Sequence, residues 1–129
     1  MYKYTIHKIE RVVDGDTVDV VIDLGFSVWT KQRIRLNRLD APEMNSRDET
    51  ERRLAVDAKE FVTRWLGQHK SLVIETTKDD KYGRMLGDIY PLGGSRSLNE
   101  EMVDEGYAWA YDGGTKNKDT SILLEKRER

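Results

Sequence analysis

Hydrophobic and polar positions change rhythm along the chain, and the changes outline its elements. Residues 4–13 and 17–24 are rich in Val, Ile and Thr, and Asp14-Gly15 lies between them. Asp-Gly between two β-prone runs predicts a hairpin. Over residues 32–39 the period is two: Ile34 and Leu36 share one face, Arg33 and Arg35 the other. The chain up to Leu39 is therefore expected to form a three-stranded meander. The period then lengthens. Leu54, Ala58, Phe61, Val62 and Trp65 recur at helical spacing over 49–66, with Gly67 as the stop signal. Residues 72–77 and 85–90 read as two more strands, and 91–94 as a turn. Ser97 or Leu98 opens a short helix that ends at Gly106. Residues 112–118 form a polar loop, and Asp119 caps a last short helix carrying Ile122 and Leu123.

Three strands, a helix, two strands and then helices fit an α+β, β-rich architecture. The expected fold is a five-stranded Greek-key barrel of OB type with about three flanking α-helices. A length of 129 residues agrees with a single domain over 1–129, in which 112–129 form a divergent C-terminal loop and short helix.

Charge narrows the function classes. Charged residues make up 36% of the chain, yet 22 Lys and Arg against 24 Asp and Glu leave a net charge of -2. A protein that holds nucleic acid by overall charge is strongly basic, so any such contact here has to come from a local patch. The chain has no cysteine, which excludes disulfides and thiolate metal sites. His7 and His69 lack the further ligands that a zinc site needs. Residues 1–7 show no apolar signal region and no run reaches the length of a membrane span. The expectation is a cytoplasmic monomer with no membrane association, a processed secreted form being the alternative.

The candidate chemistry lies in three segments. The first is Asp14-Gly15-Asp16-Thr17. It is not an EF-hand loop, because Asp19 stands at the sixth position and Gly25 at the twelfth. The second runs Arg35-Leu36-Asn37-Arg38-Leu39-Asp40-Ala41-Pro42-Glu43. Pro42 fixes its own φ and biases Ala41 toward extended backbone. A rigid turn of that kind can aim the Ala41 carbonyl beside the Asp40 carboxylate, as a hard cation requires. Glu43 is then held close by, where a carboxylate can accept a proton from water. The third segment is Asp80-Lys81-Tyr82-Gly83-Arg84, whose cations and ring suit a phosphate and a stacked base. Each segment alone reads as an ordinary turn or surface. The three together, each at a strand end, supply acids for a divalent cation and guanidinium groups for a phosphodiester. Trp29 and Trp65 read as packing residues, and the charges at 47–53 as a solvated helix face.

These three motifs, in this order, resemble the staphylococcal nuclease-like (thermonuclease) family. The resemblance runs from about Tyr4 to Tyr111, and Asn99-Glu100 and Gly106-Tyr107-Ala108 are similar to the helix that follows the third motif. It implies an OB-type barrel and a Ca²⁺-dependent endonuclease that hydrolyses phosphodiester bonds of DNA and RNA to 3′-phosphate products. Single-stranded or frayed substrate is expected to react best. The resemblance places Asp16, Asp40 and the Ala41 backbone carbonyl at the calcium, Arg35 and Arg84 on the phosphate and Glu43 as general base. Lys81, Tyr82 and Tyr111 resemble nucleotide-contacting positions. Ala41 stands where the secreted member carries threonine, and the chain diverges after Tyr111. The runner-up reading is a non-catalytic OB-type nucleic-acid-binding module, and a third is a structural domain whose acids only confer solubility.

Overall fold

Strand β1 (Tyr2–Asp14) is long enough to serve two neighbours. It pairs antiparallel with β2 (Thr17–Asp23) along most of its length. Near its start it also pairs with β5 (Leu72–Asp79). Irregularities between Ile6 and Lys8, Ile9 and Arg11, and Val12 and Asp14 break the register. Extra residues of this kind bend a strand and increase its twist, which lets β1 curl between two partners. β2 continues antiparallel into β3 (Trp29–Leu36). A parallel pairing of Ile34, Arg35 and Leu36 with Met85, Leu86 and Gly87 of β6 (Met85–Pro91) completes the circuit. The result is a closed barrel in the order β1-β2-β3-β6-β5, the five-stranded OB-type α+β fold that the periodicity predicts. The computed structural model describes residues 2–79, 84–111 and 118–128. Lys81 and Tyr82 lie outside the described residues.

Alternation fills the barrel. Val18, Val20, Ile22, Ile34, Leu36, Ile74 and Ile89 point inward and are buried. Helix α1 (Glu49–Gly67) covers this core with Ala58, Phe61, Val62 and Trp65, residues three or four apart on one face. Asp48 caps α1 by accepting the Thr50 N–H, and Glu49 and Glu51 sit in the first turn, where acids suit the helix dipole. Gly67 is the last helical residue, with Gln68 as the C-cap, so α1 takes in the glycine expected to lie just past its end. Helix α2 (Leu98–Asp104) opens with a capping box between Ser97 and Glu100. Asp119 caps α3 (Thr120–Arg127), as its sequence position predicts.

Two features depart from the sequence reading. A two-stranded ladder joins β4 (Leu39–Asp40) to β7 (Trp109–Ala110). Trp65 is buried, as expected of a packing residue, but Trp29 is half exposed and stacks on the His7 ring at 5.0 Å. Among the described residues, no helix is long and apolar enough to cross a membrane.

The C-terminal helix is fastened at both ends. Gly106 has φ +82°, and a Cβ there would lie 2.5 Å from the Leu123 carbonyl oxygen. That contact only glycine allows. Arg127 donates to the Gly106 carbonyl and to Asp57, both at 2.9 Å, and its guanidinium lies over the Tyr107 ring. At the other end, the Trp109 indole donates to the Asp119 carbonyl at 2.9 Å. Leu123 is buried against Leu54 and Trp109. This docking sets where the chain enters α3, and hence where Lys118 stands.

Candidate functional site

Gly15 makes the site possible by being small. Its φ is not in the left-handed region, so the β1–β2 turn does not need glycine for its conformation. It needs the space: a Cβ on Gly15 would lie 2.8 Å from the Ala58 Cβ and 3.0 Å from the Ala41 Cβ. The turn therefore presses against α1 and against the segment that follows β4. Asp16 is carried with it, and its Oδ2 accepts the Ala41 N–H at 3.3 Å.

Strand pairing brings Arg35 to the same place. Thr17 is opposite Arg35 in the β2–β3 ladder, and the Leu36 N–H donates to the Asp16 carbonyl at 2.8 Å. One terminal nitrogen of Arg35 lies 3.7 Å from Asp16 and 3.5 Å from Asp40. Its other terminal nitrogen donates to the Leu36 carbonyl at 2.8 Å, which fixes the plane of the fork. All three side chains are nearly buried, Asp40 most of all at 7% exposed. Two carboxylates brought together out of water repel each other, and a guanidinium between them offsets that repulsion.

The first motif also has an internal proton balance. Burial, followed by the Asp16 carboxylate beside it, pushes Asp14 up to about 6. Burial pushes Asp16 up as well. Its hydrogen bond with Asp14, the Arg35 charge, the Ala41 N–H and the Thr17 hydroxyl outweigh that and hold Asp16 below the usual carboxylate range. Asp14 thus keeps its proton more readily than Asp16. Because the folded protein binds that proton more tightly than the unfolded chain, the contribution of Asp14 to stability is complete below about pH 3.8. It is lost as the pH rises through about 6. The Asp14→Asn variant keeps a neutral side chain at every pH, and its amide oxygen can still accept the Asp16 N–H. In the presence of chelator it is expected to be more stable than the parent at pH 7, by about 1 kcal/mol after allowing for solvent screening. The gain should vanish near pH 4. Thermal melts across that range check it, and a gain that grows on acidification would contradict it.

Segment 37–41 is held from below. Arg38 adopts φ +64°, uncommon for a side chain of its size. Its guanidinium donates to Asp88 at 2.8 Å and its carbonyl accepts the Tyr111 N–H at 2.9 Å. Buried Asn99 donates to the Asn37 and Gly87 carbonyls and accepts the Ile89 N–H. The β4–β7 ladder then sets Asp40 opposite Trp109. Tyr111 is half-buried just beyond that ladder. Arg84 is half-buried immediately before β6, and Leu86, two residues on, pairs with Arg35.

Glu43 differs from the other acids in being 58% exposed. Its backbone N–H donates to the Glu51 carboxylate at 2.9 Å, and Glu51 also accepts the Ser46 hydroxyl. Glu51 is therefore no mere member of a solvated helix face: it clamps the loop that presents Glu43. Lys118 is a further residue that the sequence did not single out. Its ammonium donates to Glu43 at 3.0 Å and lies 3.9 Å from Asp40. Burial lowers Lys118, but the bond to Glu43 and the charges of Asp40, Glu43 and Glu51 more than offset this and raise it above the usual lysine value. The arrangement gathers Asp16, Arg35, Asp40, Ala41, Glu43 and Lys118 from three separate parts of the chain.

A profile of the staphylococcal nuclease homologue family matches residues 33–129. The chain is 31% identical over 128 residues to a micrococcal nuclease of Shigella flexneri, covering 94% of this chain and 67% of that protein. It is 37% identical over 112 residues to an uncharacterised endonuclease of Escherichia coli O157:H7, covering 81% of this chain and 60% of that one. It is also 30% identical over 130 residues to the protein ParB of Escherichia coli, covering 94% and 66%. The chain thus spans about two thirds or less of the length of these relatives.

Proposed function

The chain belongs to the staphylococcal nuclease homologues, and from that premise we propose that it is an endonuclease that uses Ca²⁺ to hydrolyse phosphodiester bonds of DNA and RNA. The observation that carries the reading is the meeting of Asp16, Asp40 and Arg35, with one guanidinium nitrogen reaching both carboxylates. Acids kept nearly buried at such proximity are costly to the fold unless cations use them.

The donor set suits a hard cation. It consists of carboxylate and carbonyl oxygens, with no thiolate or imidazole, and such sets favour calcium, magnesium or manganese. Among the described residues no group of three or more acidic or histidine side chains is placed to share a metal. Asp16, Asp40 and the Ala41 carbonyl would therefore hold the ion together with water. When bound, calcium supplies Lewis-acid charge at the phosphate.

The remaining roles fall to the chain. Glu43 accepts the proton of the attacking water at a carboxylate oxygen. The water oxygen bonds to phosphorus, the bond to the 5′-oxygen breaks, and that oxygen leaves with a proton from solvent, so the products end in 3′-phosphate. Arg35 and Arg84 bind the phosphate oxygens on which negative charge grows. Lys81, Tyr82 and Tyr111 contact the nucleotide, Tyr82 stacking on an unpaired base, which favours single-stranded or frayed substrate.

A cleavage assay on single- and double-stranded DNA and on RNA tests this. Cleavage is expected with Ca²⁺, to be lost in excess chelator and to return when Ca²⁺ is restored. Undiminished cleavage in chelator would remove the ion from the reading. Tight binding of single strands with no cleavage under any condition would favour the binding-module alternative.

A further inference from the structure

We propose that Lys118 is a built-in counter-cation of this site, and that a divalent ion and the Lys118 ammonium compete for the Asp40 carboxylate. The inference rests on the ion-assisted reading above and deepens it. Lys118 lies 75 positions from Glu43 in the chain, yet its ammonium donates to the Glu43 carboxylate at 3.0 Å. The same nitrogen lies 3.9 Å from Asp40, on the oxygen other than the one nearest Arg35. Asp40 is thus bracketed, with Arg35 on one oxygen and Lys118 toward the other.

The placement follows from the fold. Asp119 caps α3 and its carbonyl is held by the Trp109 indole, while Trp109 pairs with Asp40 in the β4–β7 ladder. The residue next to the cap is thereby set beside Asp40 and Glu43. The Lys118 side chain is about one third exposed, so its ammonium can swing into water on its flexible stem without disturbing the barrel. A lysine of this kind answers two needs. In the absence of an ion it offsets the charge of nearly buried acids. In the presence of an ion it is a like charge beside Asp40, a carboxylate that would hold the ion, and it weakens ion binding until it moves aside.

Calcium titration by calorimetry, at constant pH and without substrate, tests the proposal. Lys118→Met is expected to bind Ca²⁺ about fivefold or more tightly than the parent, because the competing charge is gone. Lys118→Arg, which keeps the charge, should stay close to the parent. Circular dichroism of both variants is expected to match that of the parent. Unchanged or weaker affinity in Lys118→Met, with the parent binding Ca²⁺ and Asp40→Asn failing to bind it, would overturn the competition and leave the ion site standing. Failure of the parent itself to bind Ca²⁺ would overturn both. Equal tightening in the Met and Arg variants would also defeat the proposal, since it would trace to packing instead of charge.

Discussion

Replacing Arg35 by alanine is expected to lower turnover by about a hundredfold or more and to destabilise the ion-free protein. The rate effect follows from the role of a fixed donor at the reacting phosphate, where losing one such group removes roughly 2.7–4 kcal/mol of transition-state stabilisation. The stability effect follows from the site itself. Arg35 is 12% exposed and stands between Asp16 and Asp40, at 3.7 and 3.5 Å. Without it, two nearly buried carboxylates face each other with one fewer cation. Breaking a buried pair by removing one partner typically costs about 3–5 kcal/mol, and the remaining Lys118 contact to Asp40 should keep the loss toward the lower end. The two effects separate experimentally. Melting in chelator should show a large drop that added Ca²⁺ partly reverses, because the ion replaces the missing positive charge. Turnover of the folded protein at saturating Ca²⁺ should stay low. Arg35→Lys restores the charge but not the planar two-pronged donor, so it should recover stability more than rate. A variant as active as the parent would show that Arg35 serves only to reconcile the acids.

The fold was legible where its causes are local and periodic. Alternation through Arg33-Ile34-Arg35-Leu36 placed Arg35 on the outer face, and β3 shows that placement. Asp119 is readable as a cap because capping depends on one side chain and its own next turn. The β4–β7 ladder was not readable, since two-residue strands have no period. Nor was the reason for Gly15: Asp-Gly suggests a turn conformation, whereas the structure uses its missing Cβ to seat the turn against Ala58 and Ala41.

At the site, Asp16, Arg35, Asp40, Ala41 and Glu43 came from motif and resemblance, and the structure brings all five into one neighbourhood. Lys118 and Glu51 escaped notice for a common reason. Each acts on a residue outside its own element, Lys118 on the Glu43 carboxylate and Glu51 on the Glu43 N–H, and each lies in a stretch whose charges look like ordinary solvation. Only the docking of α3 through Gly106, Trp109 and Arg127 reveals why a lysine at 118 matters.

Glu43→Gln is expected to lose turnover by about two to four orders of magnitude, the range of general-base catalysis, while Ca²⁺ affinity changes only severalfold. The substitution is a clean probe because the loop does not depend on the side chain it alters. The Glu51 carboxylate holds the Glu43 backbone N–H, and the Ser46 N–H bonds to the Glu43 carbonyl, so both anchors survive. Glutamine has nearly the same size and keeps an oxygen that can accept from Lys118, but its amide cannot take up a proton from water at neutral pH. Since the Glu43 side chain is more than half exposed, the melting temperature should hardly move. Single-turnover kinetics at saturating Ca²⁺ then read the chemical step directly, with KM reporting whether substrate still binds. A fall in kcat with KM preserved assigns the proton transfer to Glu43. Turnover equal to that of the parent would leave its carboxylate as no more than the partner of Lys118.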